Sequence, residues 1–276
     1  MSVLGIVGSP RKNGLTAQAV QSTLKGVAQT GLKTETVYLA DFHIQPCRDC
    51  HPTPACRSAR TSGRCYHKDE FSTISRKIDE ACGLVVGSAV YYGDVTRTVD
   101  NLLNKKVRHK KERPMEGIPG IGIAVAGGGG GGYASALRQI YHYYRDIGIR
   151  PLKPIPVTRF NLSFALNEGF EAGISMASLI KKGEHLTGSR RMAAFLELPI
   201  LWFDYLQETF HLVEQIIRGA QKEVPEESVE KVEAMYRNAV ELEAKGSRAE
   251  ALTTLDETYK LGTSVWNPER RLLAHS

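Results

Sequence analysis

The sequence has no long apolar run. No uninterrupted stretch approaches the roughly 20 residues that a membrane-spanning helix needs. The nearest candidate, 192–217, is interrupted by Glu197, Pro199, Asp204, Glu208, His211 and Glu214. It reads as a soluble helical segment, and no membrane partner is expected. The chain also lacks a basic n-region or a cleavage site near its start, where Val3-Leu4-Gly5-Ile6-Val7 reads directly as a buried strand. A secretory route is not expected, so the compartment expected is the reducing cytoplasm. Cysteine is scarce, with five residues, four of them between positions 47 and 65. In a reducing compartment such clustering points to metal or redox chemistry rather than to a disulfide framework. A P-loop is missing too: five residues separate Gly8 from Gly14, and Leu15-Thr16 follows. ATP or GTP binding by that route is not expected.

What is present suits a soluble globular protein. With 42% hydrophobic and 24% charged residues, a core can form without disulfides to support it. A net charge of +6 and a pI near 9.0 favour anionic partners, nucleotides included, and no nucleic-acid partner is expected.

Over the first two thirds, β-rich runs alternate with helical patterns. The strands are 3–7, 34–39, 84–87, 121–126 and 152–157, the last at a sheet edge because it contains Pro154 and Pro156. Helices are expected over 16–29, 70–81, 98–106, 134–147 and 171–182. The alternation predicts an α/β fold, a five-stranded parallel sheet with helices on both faces forming a three-layer sandwich. Residues 1–185 are assigned to this domain, with a Cys-rich loop at 43–68. Residues 186–276 form a helical extension, 192–218, 226–245 and 248–261, for packing or oligomerisation.

Chemistry concentrates at the carboxyl ends of the strands, where a doubly wound fold binds its ligand. Gly8 to Thr16 joins strand one to the first helix. Ser9, Asn13 and Thr16 supply short donors, Arg11 a cation, and the helix start at Leu15 free N–H groups, which together suit a phosphate. The alternative is an ordinary strand-to-helix turn. After strand three, Tyr91-Tyr92 offers aromatic surface for stacking, or else belongs to the core. After strand four, six consecutive glycines, 127–132, expose backbone to a flat cofactor, or form a flexible surface loop. The cysteines read Cys47-x2-Cys50-x5-Cys56-x8-Cys65. Four thiolates on one loop can hold a 4Fe-4S cluster or zinc, with His51 and His67 able to substitute as ligands if the metal is zinc, or they stay free. Cys82, beside Leu84-Val85-Val86, reads as a small apolar residue. The basic run 105–113 either steers an acidic partner or is a solvated loop. Leu201-Trp202-Phe203-Asp204-Tyr205 either lines the substrate side of the site or makes a subunit interface.

Three of these segments, in this order, resemble the NAD(P)H-dependent FMN reductases and the iron–sulfur flavoproteins. Gly8-Ser9-Pro10-Arg11-Lys12-Asn13-Gly14 is similar to their phosphate loop. Gly87-Ser88-Ala89-Val90-Tyr91-Tyr92-Gly93-Asp94 is similar to their turn against the isoalloxazine, with Ala89 where the family has proline. Ala126 to Tyr133 is similar to their third flavin loop, with Tyr133-Ala134 in place of Gln-Glu. Gly63 to Phe71 is similar to the exit of their cysteine motif, whose tighter spacing this chain departs from at Cys56. The resemblance covers about 1–185. It implies a flavodoxin-like fold with strand order 2-1-3-4-5, and FMN held by Ser9, Arg11, Asn13, Leu15, Thr16, Val90, Tyr91, Tyr92, Gly93, Asp94, Gly127, Gly128 and Gly132. It further implies two-electron chemistry with NAD(P)H, or exchange with a ferredoxin-like protein, and a homodimer or homotetramer. Cys47, Cys50, Cys56 and Cys65 would then hold a 4Fe-4S cluster that relays electrons. A non-enzymatic electron carrier, and a scaffold that has lost its flavin, are the competing functions.

Overall fold

The computed structural model describes residues 2–50, 56, 65, 67–109 and 115–266. Its strands are β1 (Val3–Gly8), β2 (Thr34–Tyr38), β3 (Gly83–Tyr91), β4 (Asp94–Val95), β5 (Pro119–Ala126), β6 (Arg150–Pro151) and β7 (Ile155–Thr158). Its helices are α1 (Leu15–Gln29), α2 (Phe71–Glu80), α3 (Arg97–Arg108), α4 (Tyr133–Ile147) and α5 (Leu162–Lys181). They continue as α6 (Gly188–Leu196), α7 (Tyr205–Ala220), α8 (Glu226–Ala244) and α9 (Arg248–Val265).

The sheet runs β2-β1-β3-β5-β6, with β4 on β3 and β7 on β5. All neighbours are parallel except the β3–β4 hairpin. β1, β3 and β5 are apolar runs buried on both faces, as central parallel strands must be. The expected strand over 152–157 is two short pieces, β6 at the start of β5 and β7 at its end. Leu152 N still donates to Gly120 O of β5 at 2.9 Å, Lys153 and Pro154 then leave the ladder, and the Leu152 carbonyl accepts from Tyr141 Oη. Pro156 pairs opposite Ala124 at the edge, where its missing N–H has no ladder bond to break.

Helices α1 and α5 cover one face of the sheet, packing Val20, Leu24, Val27 and Met176 onto Val3, Val85 and Ile123. They approach closely because Gly26 and Gly173 face the other helix: a Cβ on either would lie 2.0 Å from a backbone oxygen there. Helices α2, α3 and α4 cover the opposite face. The parallel register, Gly8 opposite Ser88 and Ala89 opposite Val125, brings the ends of β1, β3 and β5 to one rim, where the three candidate loops emerge.

The helix expected over 192–218 is interrupted. Pro199 starts a 3-10 turn, Pro199–Trp202. Asp204 then begins α7 with a capping box, its carboxylate accepting from Gln207 N and Gln207 Oε1 accepting from Asp204 N. The 201–205 segment divides accordingly. Leu201 joins the sheet core, and Arg138 donates to the carbonyls of Leu201 and Phe203, while Trp202 and Tyr205 stay exposed. α7, α8 and α9 pack on one another through Leu206, Val213, Ala239, Ala251 and Leu255. Trp266 seals α7 against Phe160 at Gly219.

The basic run is not a solvated loop at its start. Lys105 and Lys106 are 1% exposed. Lys105 pairs with the equally buried Asp69 at 2.5 Å, and Lys106 with Asp79 at 2.5 Å. Residues 110–113 lie outside the described residues.

Candidate functional site

At the end of β1 the chain turns through Ser9, whose Oγ accepts from Arg11 N at 3.2 Å, and Gly14 N donates to Arg11 O at 3.2 Å. Helix α1 follows with Gly14 as its N-cap, no side-chain cap and no acidic residue in its first turn. Its positive end and first N–H groups are therefore uncompensated and aimed into the loop. Arg11 and Asn13 are exposed beside it, and Lys12 pairs with Asp41. Thr16 is only 2% exposed, with its methyl toward Gly87, and among the described residues its hydroxyl has no hydrogen-bond partner.

The second loop is a tight hairpin. Val90 pairs with Val95 and Tyr91 with Asp94. Tyr92 and Gly93 between them have φ of 52° and 83°, the pattern of a type I′ turn. A tyrosine in the left-handed region is strained, and such outliers gather at functional sites. Ser88 and Thr96 fasten the hairpin to the first loop. Thr96 N donates to Ser88 Oγ at 2.9 Å, and Thr96 Oγ1 donates to Gly8 O at 2.9 Å. Gln139 of α4 holds its far side, donating to Asp94 and accepting from Val95 N. Neither tyrosine belongs to the core: Tyr91 is 53% exposed and Tyr92 fully so.

The glycine run makes the third wall. Gly130 and Gly132 have φ of 87°, which glycine alone adopts readily. A Cβ on Gly132 would lie 2.8 Å from Gly93 Cα, so the second and third loops touch there. Gly127 faces Leu15 at the start of α1. A Cβ on Gly128 or Gly131 would meet nothing within 4 Å. The run is not a free surface loop, because Tyr259 of α9 donates to Gly129 O at 2.9 Å and Leu212 of α7 packs on Gly130.

Helix α4 begins at Tyr133, and the extension supplies its polar partners. Ala134 N donates to Glu208 Oε1 at 3.2 Å, and Tyr133 Oη lies 2.6 Å from His211 Nδ1. Burial pushes the Tyr133 hydroxyl far up and the His211 imidazole down from their ordinary values. Glu208 thus brings a carboxylate to a helix start at which the sequence itself has only Tyr-Ala. In the sequence Glu208 is simply one charge on a helix, and nothing there signals this role. Beyond the glycine run opens a cavity of about 680 Å3, with Tyr92, Gly131 and Gly132 on one side. Tyr205, Glu208, Asp256 and Tyr259 form the other.

Of the cysteine loop, Cys56 is buried and Cys47, Cys50 and Cys65 are half-buried. Cys50 Sγ lies 3.7 Å from His67 Nε2. Burial pushes the Cys65 thiol up, opposed by the His67 backbone and by the charge of Lys105. Among the described residues no three Cys, His, Asp or Glu side chains form a metal-sized group. His51 and most of the loop lie outside the described residues. Cys82 is half-buried against the α1–α5 face, and burial pushes its thiol up.

The profile of the NADPH-dependent FMN reductase family matches residues 1–153. The chain belongs to that family. Its curated relatives include an iron–sulfur flavoprotein of Methanocaldococcus jannaschii, 31% identical over 144 residues, which cover 52% of this chain and 72% of that protein. One from Methanosarcina thermophila is 26% identical over 150 residues, covering 54% and 75%. Among solved structures, a flavone reductase superposes with a TM-score of 0.52 at 14% identity, covering 68% of this chain and 66% of its own. An NAD(P)H:quinone oxidoreductase from Methanothermobacter marburgensis gives 0.51 at 12%, covering 64% and 96%. At such identities these two show the fold, which is flavodoxin-like. Family membership makes the chain an FMN-dependent oxidoreductase. No helix among the described residues is long and apolar enough to cross a membrane.

The residues present fit FMN. Among the described residues the Thr16 hydroxyl has no hydrogen-bond partner and the helix start has no side-chain cap, Arg11 brings a cation, and Gly128 leaves a space that any Cβ would enter. For a cluster, the donor chemistry fits, since four thiols share one loop, but the described residues do not show the thiols assembled.

Proposed function

We propose that the chain transfers electrons from NAD(P)H, or from a ferredoxin-like protein, through FMN to a small-molecule or protein acceptor. Bound FMN supplies the two-electron chemistry. Ser9, Arg11, Asn13, Leu15 and Thr16 hold its phosphate through backbone N–H groups, hydroxyls and one cation. Val90 to Asp94 present backbone and the two tyrosines to the ring, and the Tyr92–Gly93 turn is kept rigid by Ser88, Thr96 and Gln139. Gly127, Gly128 and Gly132 let the ring lie close to the main chain. The observation that carries this reading is the convergence of the three loops, with the Thr16 hydroxyl unpartnered among the described residues.

Cys47, Cys50, Cys56 and Cys65 would hold a 4Fe-4S cluster passing electrons singly. The family relationship to iron–sulfur flavoproteins supports this assignment over zinc. The experiment is an anaerobic titration of the purified protein, with iron, zinc and sulfide assayed alongside. Rapid bleaching of the flavin by NADPH or NADH supports the enzyme. Reduction by ferredoxin or dithionite alone makes the protein a carrier. Zinc in place of iron, or iron unchanged in Cys65→Ser, overturns the cluster.

A further inference from the structure

The family match ends at residue 153, yet the cavity beyond the glycine run is closed by α7 and α9, which lie after that point. This extension is fastened to the site rather than resting near it. Tyr259 bonds the Gly129 carbonyl, Leu212 packs on Gly130, and Glu208 receives Ala134 N. The cavity therefore takes its shape from the flavin loops on one side and from helices outside the family match on the other.

Three properties define its occupant. Its volume is about 680 Å3, and a flavin ring against Tyr92 and Gly132 takes up part of it, leaving room beside that ring for a flat molecule. Aromatic side chains stand on both sides, Tyr92 on the hairpin and Tyr205 and Tyr259 on the extension, with bare glycine backbone between. That is a slot for a flat ring. The charged groups that line it are Glu208 and Asp256, both acidic, with no lysine, arginine or histidine among the lining residues. In a chain of net charge +6 that sign is against the average. Asp256 is exposed and has no ion-pair partner among the described residues, so its charge acts on what enters.

We propose that this cavity binds a planar aromatic cation, and that such a cation is the acceptor class of the flavin site. The identification as acceptor rests on the function proposed above; the binding chemistry rests on the cavity alone. The reaction balances with NAD(P)H as donor. One hydride equivalent leaves the dihydronicotinamide carbon, whose C–H bond breaks, and the cation gains it as a new N–H or C–H bond. NAD(P)+ and a neutral reduced ring result. Loss of the positive charge removes the attraction to Glu208 and Asp256, so reduction itself favours release of the product.

The test is isothermal titration calorimetry of the full chain with two probes of similar shape, proflavine as the cation and anthracene-2-carboxylate as the anion, with FMN content measured in every sample. Proflavine is expected to bind with one site per chain, and the anion more weakly by about tenfold or more. Asp256→Lys should weaken proflavine about threefold to tenfold while narrowing the gap between the probes. Equal affinity for both probes, or proflavine affinity unchanged in Asp256→Lys, overturns the proposal. Discrimination between the probes in protein that neither carries nor rebinds FMN would sink the flavin reading and leave the cation site standing.

Discussion

Replacing two glycines of the same loop separates the demands of folding from those of cofactor binding. A methyl group on Gly132 enters a backbone at φ of 87° and lies 2.8 Å from Gly93 Cα and 2.9 Å from Gly93 N. The left-handed conformation costs about 1–2 kcal/mol for an L-residue. Overpacking against main chain, which cannot rotate away, costs about 1–3 kcal/mol more. Gly132→Ala should therefore lose about 2–5 kcal/mol of stability and push the Tyr92–Gly93 turn from its place. Gly128 is the contrast. Its φ is not positive, and its added Cβ meets nothing within 4 Å. Gly128→Ala should leave stability unchanged, or raise it by about 0.4–1 kcal/mol through the unfolded chain. If FMN lies against this wall, the same methyl intrudes on the ring. Affinity should then fall by about 1–3 kcal/mol, which is about fivefold to 150-fold. Thermal denaturation of the FMN-free proteins and fluorescence titration with FMN read the two effects independently. Gly128→Ala protein with full stability and full FMN affinity would refute the placement of the flavin against this loop.

Further predictions concern what surrounds the site. Lys105→Met leaves Asp69 buried with two backbone donors, from Gln45 and Phe71, and no cation. The loss should be about 3–5 kcal/mol, and an unchanged melting temperature would contradict the buried pair. The Gln207 N–H, with Arg248 assisting, holds the Asp204 carboxyl below its ordinary value of 3.8. Its contribution is thus fully present above that value and is lost as pH falls through the lowered one. Asp204→Ala should cost about 1 kcal/mol at neutral pH and progressively less in acid; a deficit that does not change with pH would disprove the assignment. Replacing Tyr91 and Tyr92 together by leucine should keep the fold and raise the emission of bound flavin. Unchanged emission and unchanged reduction potential would place neither ring near it.

The parts of the site legible in the sequence were those built from neighbours along the chain. Gly8 to Thr16 shows its strand, its turn and its helix start within a dozen residues, and the glycine run announces a wall without side chains. What could not be read was built from distant partners. Glu208 reaches Ala134, and Tyr259 reaches Gly129, across 74 and 130 positions. No local pattern encodes such contacts. Lys105 and Lys106 look like solvated charges until Asp69 of the cysteine-loop exit and Asp79 of α2 are brought against them. The break at Pro199 is visible as a proline. That it would yield a 3-10 turn and a fresh capping box depended on Leu201 finding the core.

The central claim is that the three loops at the rim hold FMN. Acid extraction of the purified protein, followed by chromatography of the released flavin, tests it most directly. One phosphate loop and no second dinucleotide-binding loop predict FMN at about one per chain. FAD as the main flavin, or a protein that neither carries nor rebinds FMN, would contradict the account.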